Sequence, residues 1–489
     1  MSKFINTERV VHYVRMAERT FTYTVETEIP LNYRRNLLDF IYQKYILPGE
    51  KMFENVSKDT SDDSPYLSFN FTMPNSKQKL DEKIIASEPI QIIIKTSDDT
   101  VTEDKIIEAK EDVEISIDLF KEQLRKSTLF FAWEEGEKIV PERLRGKERS
   151  LNRLLIETQI LILILFIGVG IVVFTFLGGY ALIPFLGIQL VVVLYSSKIV
   201  ARVGDWQITE RNPTIHFLEY HLPSQEADMI RKKFTKEQLI ALKREVYEKT
   251  VLKDGEIDCQ TVHEIFIKYG LDCRPEDLAS KKVNVYQMVK TTADKFGYKV
   301  PKIVVANTLL PNASASGPSP SRGLVMITTG LLVQLEEAEI ISVLGHEFGH
   351  LKGRDPLLLY GLNAIQYLIY FFVFIPFVSS FLLFFIYYWI ISAIFFSIAK
   401  CLEARADLIS AMVIQQPQVL AEALQKIGFK RLLYERMPSY RLQEWLSLEP
   451  HPPIYFRVHR LEKIKDPSKI RHPLIQSIAD VTRGFIANI

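Results

Sequence analysis

Two long stretches of this chain, Thr158–Ser197 and Leu357–Ala399, carry no charged side chain, whereas the remainder mixes apolar and polar positions as soluble protein does. A bilayer-spanning helix needs about 20 apolar residues, so each stretch is long enough for two. Leu177-Gly178-Gly179-Tyr180 supplies a turn within the first, and Pro376-Phe377-Val378-Ser379-Ser380 a break within the second. The pattern therefore predicts four transmembrane helices in two hairpins. Outside them, Pro89–Ile94 and Lys302–Ala306 read as strands, and Asn32–Tyr45 and about Pro223–Lys282 as helical. Lys58–Ser64 and the small-residue run Asn312–Pro318 read as loops. Gly323–Gly330, rich in β-branched residues, reads as a strand, and Glu336–Lys352 as a helix with Glu336, Glu337 and Glu339 where its dipole favours negative charge. The fold class is a mainly α membrane protein with α+β soluble parts. Its layout is an N-terminal α+β accessory domain (1–150), a membrane hairpin (154–198), a first part of a further soluble domain (199–356), a second hairpin (357–400) and the second part of that domain (401–489).

Charge sets the orientation. Arg143, Arg145, Lys147 and Arg149 precede the first apolar stretch, and Lys198, Arg202 and Arg211 follow it; Lys352 and Arg354 precede the second, and Lys400 and Arg405 follow it. Basic flanks stay on the cytoplasmic side, so both hairpins have short outer turns and every soluble part faces the cytoplasm. The expected location is a cell membrane, crossed several times. The opening MSKFINTERVV bears charges throughout and reads as no secretory leader. With 60 Lys+Arg against 59 Asp+Glu there is no basic excess, and no nucleic-acid partner is expected. Of the three cysteines, Cys259, Cys273 and Cys401, none lies in a C-x-x-C pair, and all three read as reduced thiols. Lys253–Asp258 lacks the spaced acidic ligands of a calcium loop and reads as a helix–helix turn.

The chemistry concentrates in His346-Glu347-Phe348-Gly349-His350. On a helix, positions i and i+4 share a face, so two imidazoles can grip one metal ion while the adjacent Glu reaches a water beside it. Catalytic zinc takes three protein ligands and keeps one position open. The third is expected in Cys401-Leu402-Glu403-Ala404-Arg405-Ala406-Asp407, where Glu403 and Asp407 share a face. Glu403 is assigned to the metal, and Asp407 to the free ring N–H of a ligand histidine; the bland alternative for the pair is an ion pair with Arg405. Glu347 is the general base. Both halves of the site flank one hairpin, which places the metal near the membrane surface. His451, before Pro452 and Pro453, is a candidate oxyanion donor or a plain loop residue.

These residues together resemble the HtpX-like membrane zinc metalloproteases, relatives of the CAAX prenyl proteases. The resemblance rests on HEFGH, on Glu403-x-x-Ala406-Asp407, on His451-Pro-Pro with Arg457 six residues after the His, and on Asn312-Ala313 and Thr329-Gly330-Leu331-Leu332 before the HEFGH helix. It covers about Ile156 to Leu461. It implies a gluzincin-type (minigluzincin-like) catalytic core with one catalytic Zn2+ and endopeptidase activity in membrane-protein quality control. It further implies substrate binding along an edge strand near Asn312 and Ala313, and a place near the site for His451 and Arg457. Membrane proteins or unfolded polypeptides are the implied substrates. The N-terminal segment departs from the family layout. Two rival readings are a maturation protease for a lipidated or signal-type substrate and a membrane scaffold with a structural zinc; the general base Glu347 argues against the second. Oligomeric state is not readable from the sequence.

Overall fold

The structure, a computed structural model, describes residues 19–59, 65–73, 78–98, 100–135, 168, 172–173, 175–222, 226–227, 230, 234–253, 255–374, 381–435 and 437–488. The chain divides into two compact units, Met1–Lys126 and Ser127–Ile489.

In the first unit, strands β1 (Arg19–Val25), β2 (Phe53–Asp59), β3 (Tyr66–Thr72), β4 (Lys79–Ile85) and β5 (Ile90–Thr96) form an antiparallel sheet in the order β1-β5-β4-β3-β2. The alternation in β5, with Ile90, Ile92 and Ile94 fully buried, is that of a sheet with one face on a core. That core includes Leu37, Leu38 and Ile41 of helix α1 (Arg34–Ile41) and Ile106, Val113 and Ile117 of helix α2 (Glu103–Arg125). One position breaks the pattern: Glu82, on the inward face of β4, is 1% exposed and neither carboxylate oxygen has a hydrogen-bond partner among the described residues.

The second unit begins where the sequence reading still placed the N-terminal domain. Its boundary falls at Lys126 rather than near residue 150, because strand β6 (Thr128–Glu134) pairs with β8 (Thr214–His221), which in turn pairs with β9 (Leu278–Asn284). The region from about Pro223 to Lys282 is accordingly not all helical: helices α4 (Lys236–Lys249) and α5 (Cys259–Lys268) give way to β9. Cys259 and Cys273 are joined in a disulfide and Cys401 is free, which corrects the reading of three reduced thiols. The chain turns back after α5 and brings the two Cα atoms to 5.6 Å, within disulfide range.

A second sheet runs β11 (Ala313–Ser316), β12 (Leu324–Thr328), β10 (Lys302–Ala306), β7 (Trp206–Ile208). β10 and β12 are parallel, and β11 pairs antiparallel to β12 as an edge strand. The small-residue run read as a loop is thus partly a strand; Ala, Ser and Gly hide the alternation that would announce it. The buried side chains of these strands, including Ile303, Val305, Val325 and Ile327, form one core with helix α6 (Val285–Phe296), helix α7 (Thr329–Gln334) and the apolar face of α8 (Glu337–Gly353).

Among the described residues, three helices are long and apolar enough to cross a membrane: α3 (Leu182–Val200), α9 (Asp355–Ile369, continued by a wide turn to Phe374) and Ile386–Ile414 within α10 (Phe381–Ile414). They carry exposed Ile183, Val191, Phe372 and Trp389, the surface lipid would cover. The first helix of the first hairpin lies largely outside the described residues, as do the break at 375–380 and the basic run before the first stretch. α10 changes character along its length: its first turns are exposed, but Ala399, Leu402, Ala404, Ala406 and Leu408 are buried in protein. α9 and α3 meet through polar side chains, with Asn363 donating to Gln189 Oε1 at 3.0 Å and Tyr360 to the Leu186 carbonyl at 3.1 Å.

Candidate metal centre

α8 is started by a capping box in which the Glu336 backbone N–H donates to Glu339 at 2.8 Å. Lys426 holds the other side of Glu339 at 2.7 Å. The helix then presents two glycines to α10. A Cβ on Gly345 would lie 2.6 Å from Ile414 Cγ1 and Ser410 Oγ, and one on Gly349 3.1 Å from Ala406 Cα. Their bare faces let the two backbones approach, and the Ser410 hydroxyl donates to the Ser342 carbonyl across the seam at 2.8 Å. This packing, rather than the sequence interval of more than fifty residues, brings Glu403 to the histidines.

His346 Nε2 and His350 Nε2 lie 3.1 Å apart. Glu403 Oε2 is 3.4 Å from the first, and Oε1 3.3 Å from the second. Ligand atoms about 2.0–2.2 Å from a tetrahedral zinc stand roughly 3.3–3.5 Å apart, so this triangle has the span of a zinc site. Glu403 Oε2 is buried and accepts no aligned hydrogen bond among the described residues, while His451 Nδ1 stands 2.9 Å and Arg457 Nη1 4.0 Å away. A buried carboxylate oxygen left open beside two aligned imidazoles is a donor set that fits a cation.

Each histidine is held through its other nitrogen. His346 Nδ1 is 2.8 Å from Asp407 Oδ1, and His350 Nδ1 is 2.7 Å from Asp355 Oδ2. Nδ1 donating to a carboxylate leaves the Nε2 lone pair for the metal. Burial alone would lower both imidazole pKa values; at His346 the bond to Asp407 and the adjoining Glu403 carboxylate outweigh it and push the pKa up to about 10. At His350 the Glu403 charge and the Asp355 bond also win, and the shift is upward. The pocket thus favours positive charge where the two Nε2 atoms meet. Arg457, on α11 (Ile454–Glu462) and 6% exposed, grips Asp407 in bidentate fashion, Nε to Oδ2 at 2.9 Å and Nη2 to Oδ1 at 2.7 Å. Burial opposes its charge, but Asp407 and Glu403 more than restore it.

The candidates named from sequence therefore separate. His346, His350 and Glu403 converge, with Asp407 behind them. Glu347 is part of the same cluster; its Oε2 accepts the Ala315 N–H of β11 at 2.7 Å. His451, half exposed, stands at the mouth. Arg457 lies behind the site with its guanidinium on Asp407, not at the mouth. Asn312 is bound to its own sheet, its N–H donating to Thr328 Oγ1 and its carbonyl accepting from Thr328 N–H, and Ala313 pairs with Ile327. Arg405 forms no pair with Glu403 or Asp407 but binds Asp355. The sequence reading missed two groups. Ala315 acts through its backbone, which no side-chain motif can announce. Asp355 stands five residues after His350, immediately before an apolar run, and that position was its only signal.

Residues 279–465 match the model of Peptidase family M48. Protease HtpX homolog 2 of Methanosarcina acetivorans is 31% identical over 166 residues, 29% of this chain and 53% of that protein. A protease HtpX homolog of Methylibium petroleiphilum is 34% identical over 164 residues, 30% of this chain and 58% of that protein. Protease HtpX of Legionella pneumophila is 42% identical over 74 residues, 15% of this chain and 26% of that protein. The chain thus spans less than two thirds of the length of each of these relatives.

Proposed function

We propose, from the premise that residues 279–465 form an HtpX-like peptidase family M48 domain, that this chain is a membrane-embedded zinc endopeptidase acting on membrane proteins or unfolded polypeptides. The observation that carries the proposal is the convergence of His346 Nε2, His350 Nε2 and the Glu403 carboxylate beside Glu347. One zinc ion held by these three residues would act as a Lewis acid on the scissile carbonyl and make water a better nucleophile. Glu347 would take the proton of the attacking water and pass it to the leaving amine. β11 is an edge strand beside Glu347, with no further strand on its outer side among the described residues, against which an extended substrate segment can lie with its peptide bond fixed. His451, at the mouth, is placed to donate to the oxygen that gains negative charge. Asp407 and Asp355 keep both imidazoles aimed, and Arg457 keeps Asp407 in place.

The apolar helices α3, α9 and α10 support a membrane setting, and quality control of damaged membrane proteins is the role that the resemblance to HtpX-like proteases implies. The basic residues at those ends, Lys198, Arg202, Lys352 and Arg354, favour a cytoplasmic face. One observation favours the opposite face: a disulfide such as Cys259–Cys273 persists in oxidising compartments. Labelling intact and permeabilised cells with a membrane-impermeant maleimide, after selective reduction, decides the side. Cleavage of casein by purified chain, dependent on zinc and lost in Glu347→Gln, tests the activity. Casein left intact by zinc-loaded chain, with one defined processed product in cells, would favour the maturation-protease reading instead.

A further inference from the structure

The metal site and the start of a membrane helix share one carboxylate. α8 ends at Gly353, and α9 begins at Asp355. The single residue between them, Arg354, has φ 51° and ψ 41°, and closes α8 with its N–H on the Leu351 carbonyl at 3.2 Å. Its own carbonyl accepts the Leu358 N–H at 3.1 Å, so it opens α9 as well. Nothing in this joint is slack, and it delivers Asp355, 4% exposed, to two partners at once. One oxygen receives His350 Nδ1 at 2.7 Å, and the other receives the Arg405 guanidinium. Arg405 stands two residues past Glu403 on α10, is 8% exposed, and leaves its Nε without a partner. Asp355 is thus its anchor among the described residues. The absent side chain of Gly353 makes room for this: a Cβ there would overlap the guanidinium.

The geometry points to Asp355 as a positioning residue of the metal centre, which aims the His350 ring, ties the Glu403-bearing turn of α10 through Arg405, and couples both to the first turn of the apolar helix α9. This rests on the reading of His346, His350 and Glu403 as metal ligands. Asp355 touches neither substrate nor metal; it sets how the ligands meet. A carboxylate behind a ligand histidine raises the ring's basicity and fixes its tautomer, and losing such a partner typically weakens metal binding about 10–100-fold.

The test measures zinc affinity of the full chain in detergent by chelator competition, with cobalt(II) absorption as a report on coordination. Asp355→Asn is expected to bind zinc 10–100-fold more weakly, with a changed cobalt spectrum and unchanged metal-free near-ultraviolet circular dichroism. Gly353→Ala reaches the same network without changing a titratable group: its methyl would crowd both the Arg405 guanidinium and Asp355 Oδ1, and it is expected to weaken zinc in the same direction. Asp355→Glu should recover part of the loss. Glu264→Gln, which removes an exposed partner of Lys249, should change nothing. Zinc affinity within twofold of wild type in both Asp355→Asn and Gly353→Ala would overturn the inference while leaving the proposed function standing. Collapse of the metal-free fold in Asp355→Asn would also overturn it, since the carboxylate would then serve the fold rather than the metal. Failure of wild type itself to bind zinc would remove the proposed function and this inference together.

Discussion

Glu403 Oε2 is buried and without an aligned hydrogen bond among the described residues, and a buried carboxylate is costly unless positive charge sits close to it. Removing that carboxylate in Glu403→Ala should abolish stoichiometric zinc binding, measured by metal analysis after dialysis. Glu347→Gln differs, because the amide still accepts the Ala315 N–H but cannot take a proton. It should retain zinc and lose about 10²–10⁴-fold in kcat. In the first unit, Glu82 offers a second residue-level check. Burial first, and the nearby Asp112 charge second, push its pKa up from 4.5 to about 8. Between those values the folded chain keeps a proton that the unfolded chain releases. Stability is therefore unpenalised below pH 4.5, falls as pH rises towards about 8, and levels off above it. Hydrogen exchange in β4 should accelerate over that window, and Glu82→Gln should flatten the profile; identical profiles would refute the account of Glu82.

At the scale of elements, the seam between α8 and α10 depends on glycine. Gly345→Ala places a methyl against Ile414 and Ser410, and overpacking of this kind costs about 1–3 kcal/mol. Urea denaturation should show that loss with zinc affinity reduced as well, because the seam carries Glu403 to the histidines. β11 makes a different prediction. Ala315→Pro removes the N–H that binds Glu347 and blocks strand addition at the edge, so kcat/KM should fall more than zinc affinity does. The helices were legible in the sequence wherever apolar runs or capping residues were strong, as in α8 and α9. The strands β7, β8 and β11 were not: the first two are short or end in polar turns, and Ala-Ser-Ala-Ser has no apolar alternation. The HEFGH histidines and Glu403 were legible because their chemistry needs fixed residue types at fixed spacing. Asp355 was not, because a single acid before an apolar run is also what a membrane boundary looks like.

For the whole molecule, the pattern of charge-free stretches led to apolar helices that the fold leaves exposed, but it could not show that α10 plunges into protein after Ala399, where its apolar residues pack instead of meeting lipid. That change of environment along one helix joins an exposed apolar segment to Glu403, the proposed metal ligand. The central claim is that this junction is a catalytic zinc site, and one paired measurement tests it most directly: zinc content and casein cleavage, determined together on detergent-purified wild type and Glu347→Gln. The account predicts about one zinc per chain in both proteins, with chelator-sensitive cleavage in wild type alone. Zinc-free wild type, or a Glu347→Gln variant that cleaves as fast as wild type, would contradict it.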